Sequence, residues 1–194
     1  IIVSSDPALS IEPEGNLNED VPYFVVSVRK WKDLPDDFQE KIATVCNTVR
    51  EKYEILPVII PMQGWMDGDL CHEIAIASKG KFAPDFDDAG KLIGYIKNSK
   101  FVLGMRLHSL VFSLGVNIPI IALSYDPKVD AVVAEWECCK TFDVRNINVD
   151  EIVDEIGNII ENHNELSENI SKITHKMKEK NICDAQGAVE LMEF

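Results

Sequence analysis

Arg29, Arg106, His108 and Lys128 are cations or potential cations in a chain that is short of them. Lys and Arg number 19 against 33 Asp and Glu, a formal net charge of −14. A surface of that sign repels nucleic acid and anionic lipid as a whole, so an anionic ligand has to be drawn by a local cluster of positive charge. Arginine grips a carboxylate or phosphate through two parallel hydrogen bonds, and lysine supplies a point charge. An unperturbed imidazole titrates at about 6.5, which suits proton transfer. The chemistry on offer is recognition of a small, multiply charged anion, with a proton donor close by.

The elements that must position these residues follow from the hydrophobic pattern. Short, almost continuous apolar runs at 23–28, 56–62, 101–104 and 118–124 read as strands buried on both faces, with briefer strands at 81–83 and 141–144. Between them lie helical patterns: from Pro35 to about Tyr53, at 67–78 with Leu70, Ile74 and Ala77 facing in, at 87–99, and at 107–115. Asp126-Pro127 reads as a cap and first helical position. Asn148 to Glu151 resembles a capping box that opens a helical tail, broken near 162–164. Strand and helix alternate about five times, which predicts an α/β fold with a doubly wound, Rossmann-like parallel sheet. The domain expectation is a linker or domain junction at 1–21, the α/β domain at 22–147, and C-terminal helices at 148–194 packing on it.

In an open parallel sheet, ligands bind beyond the carboxyl ends of the strands. Those ends run into Arg29-Lys30, Met62-Gln63-Gly64, Met105-Arg106-Leu107-His108 and Ser124-Tyr125-Asp126-Pro127-Lys128. The candidate binding set is therefore Arg29, Gln63, Arg106, Leu107, His108, Ser124, Tyr125 and Lys128, with His108 also the candidate catalytic residue. Two of these junctions open helices, whose free N–H groups favour an anion. Plainer readings stay open: a solvated strand end for Arg29 and Lys30, an ion pair with a nearby carboxylate for Arg106, a packing histidine for His108, a surface lysine for Lys128. Trp31, Trp65 and Trp136 read as packing residues, with Trp65 on the ligand side.

Several classes are excluded. No apolar stretch is long enough to span a bilayer; 110–123 is too short and is broken by Asn117 and Pro119. The five cysteines are odd in number, without CxxC spacing, and the four histidines form no zinc pattern, so no metal site, a reduced state and a cytoplasmic location are expected. The vicinal Cys138-Cys139 reads as buried filler near an edge strand. No GxGxxG, P-loop or GxSxG motif is present, so no cofactor is expected.

GMRLHSLVFSLG (104–115), followed by IPIIALSYDPKV (118–129), resembles the polysaccharide pyruvyl transferase family, in its bacterial cell-wall branch. SSDPAL (4–9), SVR (27–29) and PMQ (61–63) with Asp69-Leu70 extend the resemblance over nearly the whole chain. The resemblance implies the C-terminal domain of a two-domain transferase of GT-B architecture, its own N-terminal domain being absent and the isolated half inactive. It implies phosphoenolpyruvate as donor substrate and a lipid-linked cell-wall sugar as acceptor, reached at the inner face of the membrane, with a pyruvate ketal as product. It implies that Arg106 and His108 hold phosphoenolpyruvate, and that Lys128 contacts an anionic group of donor or acceptor. Whether His108 is an anion ligand or the acid that protonates C3 stays open. The competing readings are the nucleotide-sugar half of a GT-B glycosyltransferase, with Glu135 or Glu137 on the ribose, and a non-enzymatic flavodoxin-like module.

Overall fold

The computed structural model describes residues 5–15, 17–83 and 86–192. The ends of the expected lead-in and tail, 1–4 and 193–194, lie outside the described residues, as do Asn16 and 84–85. Six parallel strands form one sheet: β1 (Tyr23–Ser27), β2 (Leu56–Ile59), β3 (Lys81–Phe82), β4 (Val102–Gly104), β5 (Ile120–Ser124) and β6 (Lys140–Asp143). The order is β3-β2-β1-β4-β5-β6, a doubly wound, Rossmann-like arrangement. The chain winds outward from β1 in one direction and then, from β4, in the other. The crevice between the carboxyl ends of β1 and β4 is therefore the topological switch point.

The helices cover both faces. They are α1 (Phe38–Tyr53), α2 (Gly64–Ala77), α3 (Ala89–Lys97), α4 (Leu107–Gly115), α5 (Pro127–Val133), α6 (Val149–Glu161) and α7 (His163–Met192). Alternation along β1 sends Phe24, Val26 and Val28 into a core with α1, α2 and α6, and Tyr23 and Val25 into a core with α3, α4, α5 and α7. Burial on both faces explains why the central strands are uninterrupted apolar runs. The edge strand β3 is exposed, and so are most residues of β6.

Some boundaries differ from the sequence pattern. Pro35 and the two acids after it form a turn rather than the first turn of α1, with the Phe38 N–H bonded to the Pro35 carbonyl at 3.0 Å. Helix α2 starts at Gly64, before the expected Asp67. Its buried stripe is Asp67, Leu70, Cys71, Ile74 and Ala75, so Ala77 is exposed rather than facing in. Helix α4 spans the expected residues. The Asn148 side chain caps α6, accepting from the Asp150 and Glu151 N–H groups at 3.1 and 3.4 Å.

The lead-in lies against the second face. Leu9 is 1% exposed, in the core shared by α4 and α7. The Glu14 N–H bonds the Gly90 carbonyl at 2.8 Å, and Glu19 accepts from Lys81 Nζ at 2.7 and 2.8 Å and from the Tyr95 hydroxyl. Helix α7 is tied to the same face. Trp136 Nε1 donates to Thr174 Oγ1 at 3.3 Å, and that hydroxyl donates to the Leu114 carbonyl at 3.0 Å.

Candidate functional site

Beyond the carboxyl ends of β1, β2, β4 and β5 lies a cavity of about 620 Å³. Its lining includes the expected Arg29, Gln63, Arg106, Leu107, His108, Tyr125 and Lys128, together with Met62, Phe86, Asp87, Asp88, Ala89, Leu92 and Phe112. Arg29 follows β1, Arg106 follows β4, and Lys128 sits in the first turn of α5 after β5. Three strand ends at the switch point thus send a cation into one space. A second cavity of about 470 Å³ lies at the opposite edge, between Ile55, Lys100 and the α6–α7 junction. It borders the amino ends of β2 and β4, where an open parallel sheet does not ordinarily bind its ligand.

The cations are held differently. Arg29 donates from Nη1 to the Tyr125 hydroxyl at 3.1 Å. Its guanidinium carbon lies 5.1 Å from the Trp31 ring centre and 5.3 Å from that of Tyr125, so two aromatic faces fix its plane. Its Nε is buried with no partner among the described residues, and so is Ser27 Oγ at the end of β1. Lys128 is exposed, its Nζ 5.8 Å from the Tyr125 ring centre. Among the described residues, neither Arg29 nor Lys128 has a carboxylate within ion-pair distance, although acids far outnumber bases in the chain.

Arg106 does have one. Its Nε donates to Asp67 Oδ2 at 2.9 Å and its Nη2 to Asp67 Oδ1 at 2.6 Å. Asp67 is fully buried, and its Oδ2 also accepts from the Gln63 N–H at 3.2 Å. The carboxylate partner that was one open reading for Arg106 is therefore present, yet the side chain still borders the cavity. The signal for Asp67 was in the sequence: it is the one acid on the apolar stripe of α2. Periodicity alone could not name its partner.

Helices α2 and α4 both begin at the cavity without a side-chain cap, whereas Asp88 and Asp126 cap α3 and α5. The amino end of α4 therefore offers its first-turn partial charge towards Arg106 and His108. Helix α5 is different, because the Asp126 carboxylate already accepts the Lys128 N–H at 3.0 Å. His108 is exposed, its ring 5.8 Å from that of Phe112. Gly104 lets α4 approach the end of β4 closely, since a Cβ there would lie 2.6 Å from Leu110 Cδ2 and 2.7 Å from Ser109 Oγ.

Not every expected residue reaches the cavity. Ser124 is buried at the end of β5 and turns its Oγ to the Asp126 carbonyl at 3.4 Å. Lys30 points outward and pairs with Asp69 at 3.1 Å. Trp65 is 85% exposed on the first turn of α2 and packs in no core, while Trp31 serves Arg29. Glu135 and Glu137 are exposed beyond α5 and do not line the cavity. The apolar wall of Phe86, Leu92 and Phe112 was not foreseen.

The polysaccharide pyruvyl transferase family model matches residues 1–127. The chain belongs to that family. No curated protein matches it in sequence. Among solved structures, UDP-GlcNAc 2-epimerase from Neisseria meningitidis bound to UDP-GlcNAc is similar with a TM-score of 0.63 at 10% identity, over 88% of this chain and 45% of that one. The S. aureus MnaA–UDP co-structure has a TM-score of 0.55 at 13% identity, over 82% of this chain and 40% of that one. WaaG, a glycosyltransferase involved in lipopolysaccharide biosynthesis, has a TM-score of 0.53 at 8% identity, over 82% of this chain and 43% of that one. These likenesses place the fold with one half of GT-B enzymes, and the chain spans about two fifths of their length. No helix among its described residues is long and apolar enough to cross a membrane.

Proposed function

We propose that this chain carries the donor site of a transferase that moves pyruvyl from phosphoenolpyruvate onto a cell-wall sugar as a ketal. The observation that carries the reading is the convergence of Arg29 and Lys128, both without an acidic partner among the described residues, on the cavity that Arg106 and His108 also line. Phosphoenolpyruvate bears a carboxylate and a phosphate, so it calls for several cations in one small space. Membership of the polysaccharide pyruvyl transferase family supports this reading.

In this reading Arg29 grips the carboxylate or phosphate, Arg106 adds a hydrogen bond from its Nη1 side, and Lys128 neutralises the remaining charge. The amino end of α4 adds N–H donors. His108 first binds the anion and second donates the proton to C3. That proton makes C2 electrophilic; one sugar hydroxyl adds there, phosphate leaves with its bridging oxygen, and the second hydroxyl closes the ketal. Of the two hydroxyl protons released as the C–O bonds form, one restores His108 and the other leaves with the phosphate. The acceptor is a lipid-linked sugar, so contact with the inner face of the membrane comes through the acceptor rather than through a spanning helix. The other half of the GT-B enzyme completes the cleft.

The test is calorimetric titration of the chain with phosphoenolpyruvate and, separately, with uridine diphosphate. Saturable phosphoenolpyruvate binding is expected, weakened roughly 10- to 100-fold in Arg29→Ala, the range for a lost hydrogen-bonded charge, and weakened also in His108→Gln. Binding of uridine diphosphate alone would replace this reading with a nucleotide-sugar site. Binding of neither would overturn it.

A further inference from the structure

Among the described residues, Asp67 is the one acid whose exposure falls to 0%. It is spent entirely on the geometry of one cavity side chain. Its Oδ1 and Oδ2 take the Nη2 and Nε of Arg106 at 2.6 and 2.9 Å, and its Oδ2 also takes the Gln63 N–H at 3.2 Å. Arg106 keeps Nη1, which makes no hydrogen bond among the described residues. A buried ion pair is a weak device for stability, because desolvating both charges offsets their attraction. It is a strong device for fixing a plane. An arginine that a ligand must itself immobilise costs affinity through lost rotamer freedom, and one already held by a fork costs less.

We propose that Asp67 is a positioning residue for the anion site: it grips the Nε–Nη2 edge of Arg106 and so presents Nη1 to the cavity. Asp67 acts through Arg106 and does not touch the ligand. It also neutralises Arg106, so the uncompensated charge of the cavity comes from Arg29 and Lys128, while Arg106 contributes orientation. The Gln63 N–H bond locks the start of α2 to the same carboxylate and joins the ends of β2 and β4. The proposal rests on the reading of the cavity as a phosphoenolpyruvate site.

The experiment is a double-mutant cycle read by calorimetric titration with phosphoenolpyruvate, on wild type, Asp67→Asn, Arg106→Ala and the double variant, each checked by thermal melting. Asp67→Asn is expected to weaken binding about fivefold to tenfold, and the double variant to bind no more weakly than Arg106→Ala alone. A folded Asp67→Asn with wild-type affinity overturns the proposal. So does a double variant whose losses multiply, because Asp67 would then act on the fold rather than through Arg106. Should Asp67→Asn melt below the assay temperature, Asp67→Glu serves instead: it keeps the charge, shifts the guanidinium, and is expected to show the same coupled loss. A wild-type chain that binds no phosphoenolpyruvate overturns the reading of the cavity, and this proposal with it; normal wild-type binding with an inert Asp67 overturns this proposal alone.

Discussion

Arg29, Arg106 and Lys128 carry the same charge but are prepared in three ways: by two aromatic faces, by a buried carboxylate, and by open solvent. What surrounds a side chain, not its type, decides what it can do, and the cysteines obey the same logic. Burial pushes the thiols of Cys46 and Cys71 up to about 12, so both stay protonated and shielded at neutral pH. Cys138 is different. A hydrogen bond from the neighbouring Cys139 stabilises its thiolate and pulls it down to about 7, while the same bond holds Cys139 well above the ordinary range. Only the thiolate attacks an alkylating agent. The rate of iodoacetamide labelling at Cys138 is therefore expected to climb through about pH 7 and level off above it, with Cys46 and Cys71 unlabelled in the native protein. Peptide mapping of the alkylated chain across pH 5–10 measures this. In Cys139→Ala the midpoint should move up towards the ordinary thiol value of 9.0. A wild-type midpoint already at that value would mean that the two sulfurs do not interact.

Between elements, the decisive contacts are close approaches of backbone. Gly94 on α3 lies so near the lead-in that a Cβ there would stand 2.2 Å from the Glu14 carbonyl oxygen. Helix propensity alone makes Gly94→Ala favourable by about 1 kcal/mol. Overpacking against backbone, which cannot swing aside as a side chain can, costs about 1–3 kcal/mol. The clash wins, and Gly94→Ala is expected to lower the melting temperature; a rise would show that the lead-in is not seated on α3 in solution. This contact also marks the limit of what the sequence discloses. Buried strands were legible as continuous apolar runs, because a strand covered on both faces needs no polar alternation. The residues at strand ends were legible because the chain must leave the sheet there. Seating of Leu9 and Glu14 against α4 and α3 was not, since turn residues such as Pro7, Pro13 and Gly15 give no period that points to a partner. The Asp87–Asp88 rim and the Phe86 wall were hidden for a related reason: they reach the cavity only through the order β3-β2-β1-β4, a long-range fact. Ser124 does not line the cavity, because its hydroxyl turns to the Asp126 backbone carbonyl.

At the scale of the whole molecule, two electrostatic effects of opposite sign act on an incoming anion. The cavity attracts it at contact, and the net charge of −14 repels it from afar. A divalent anion about 20 Å from the centre of a charge of −14 meets repulsion of roughly 3 kcal/mol at 10 mM salt and about 1 kcal/mol at 100 mM. Over the same range the contacts with Arg29 and Lys128 change little, because they act within a few ångströms, well inside the Debye length. Added salt therefore removes the barrier to encounter faster than it weakens the bound state. On the proposed reading of the cavity, the association rate of phosphoenolpyruvate is expected to rise by an order of magnitude or more between 10 and 100 mM salt, since about 2 kcal/mol is roughly 30-fold, the reverse of an anion steered to a basic protein. Stopped-flow fluorescence can follow it, since Trp31 packs against the guanidinium that would receive the ligand. The dissociation rate should rise too, and more steeply above 100 mM, where screening reaches the cavity itself. Arg29→Ala would slow association little while speeding dissociation, because it removes a contact and leaves the far field almost as it was. An association rate that instead falls steadily from 10 mM upward would mean that the cations at the strand ends govern the field well beyond the cavity, and that the acidic surface lies mostly on the side of the sheet away from it.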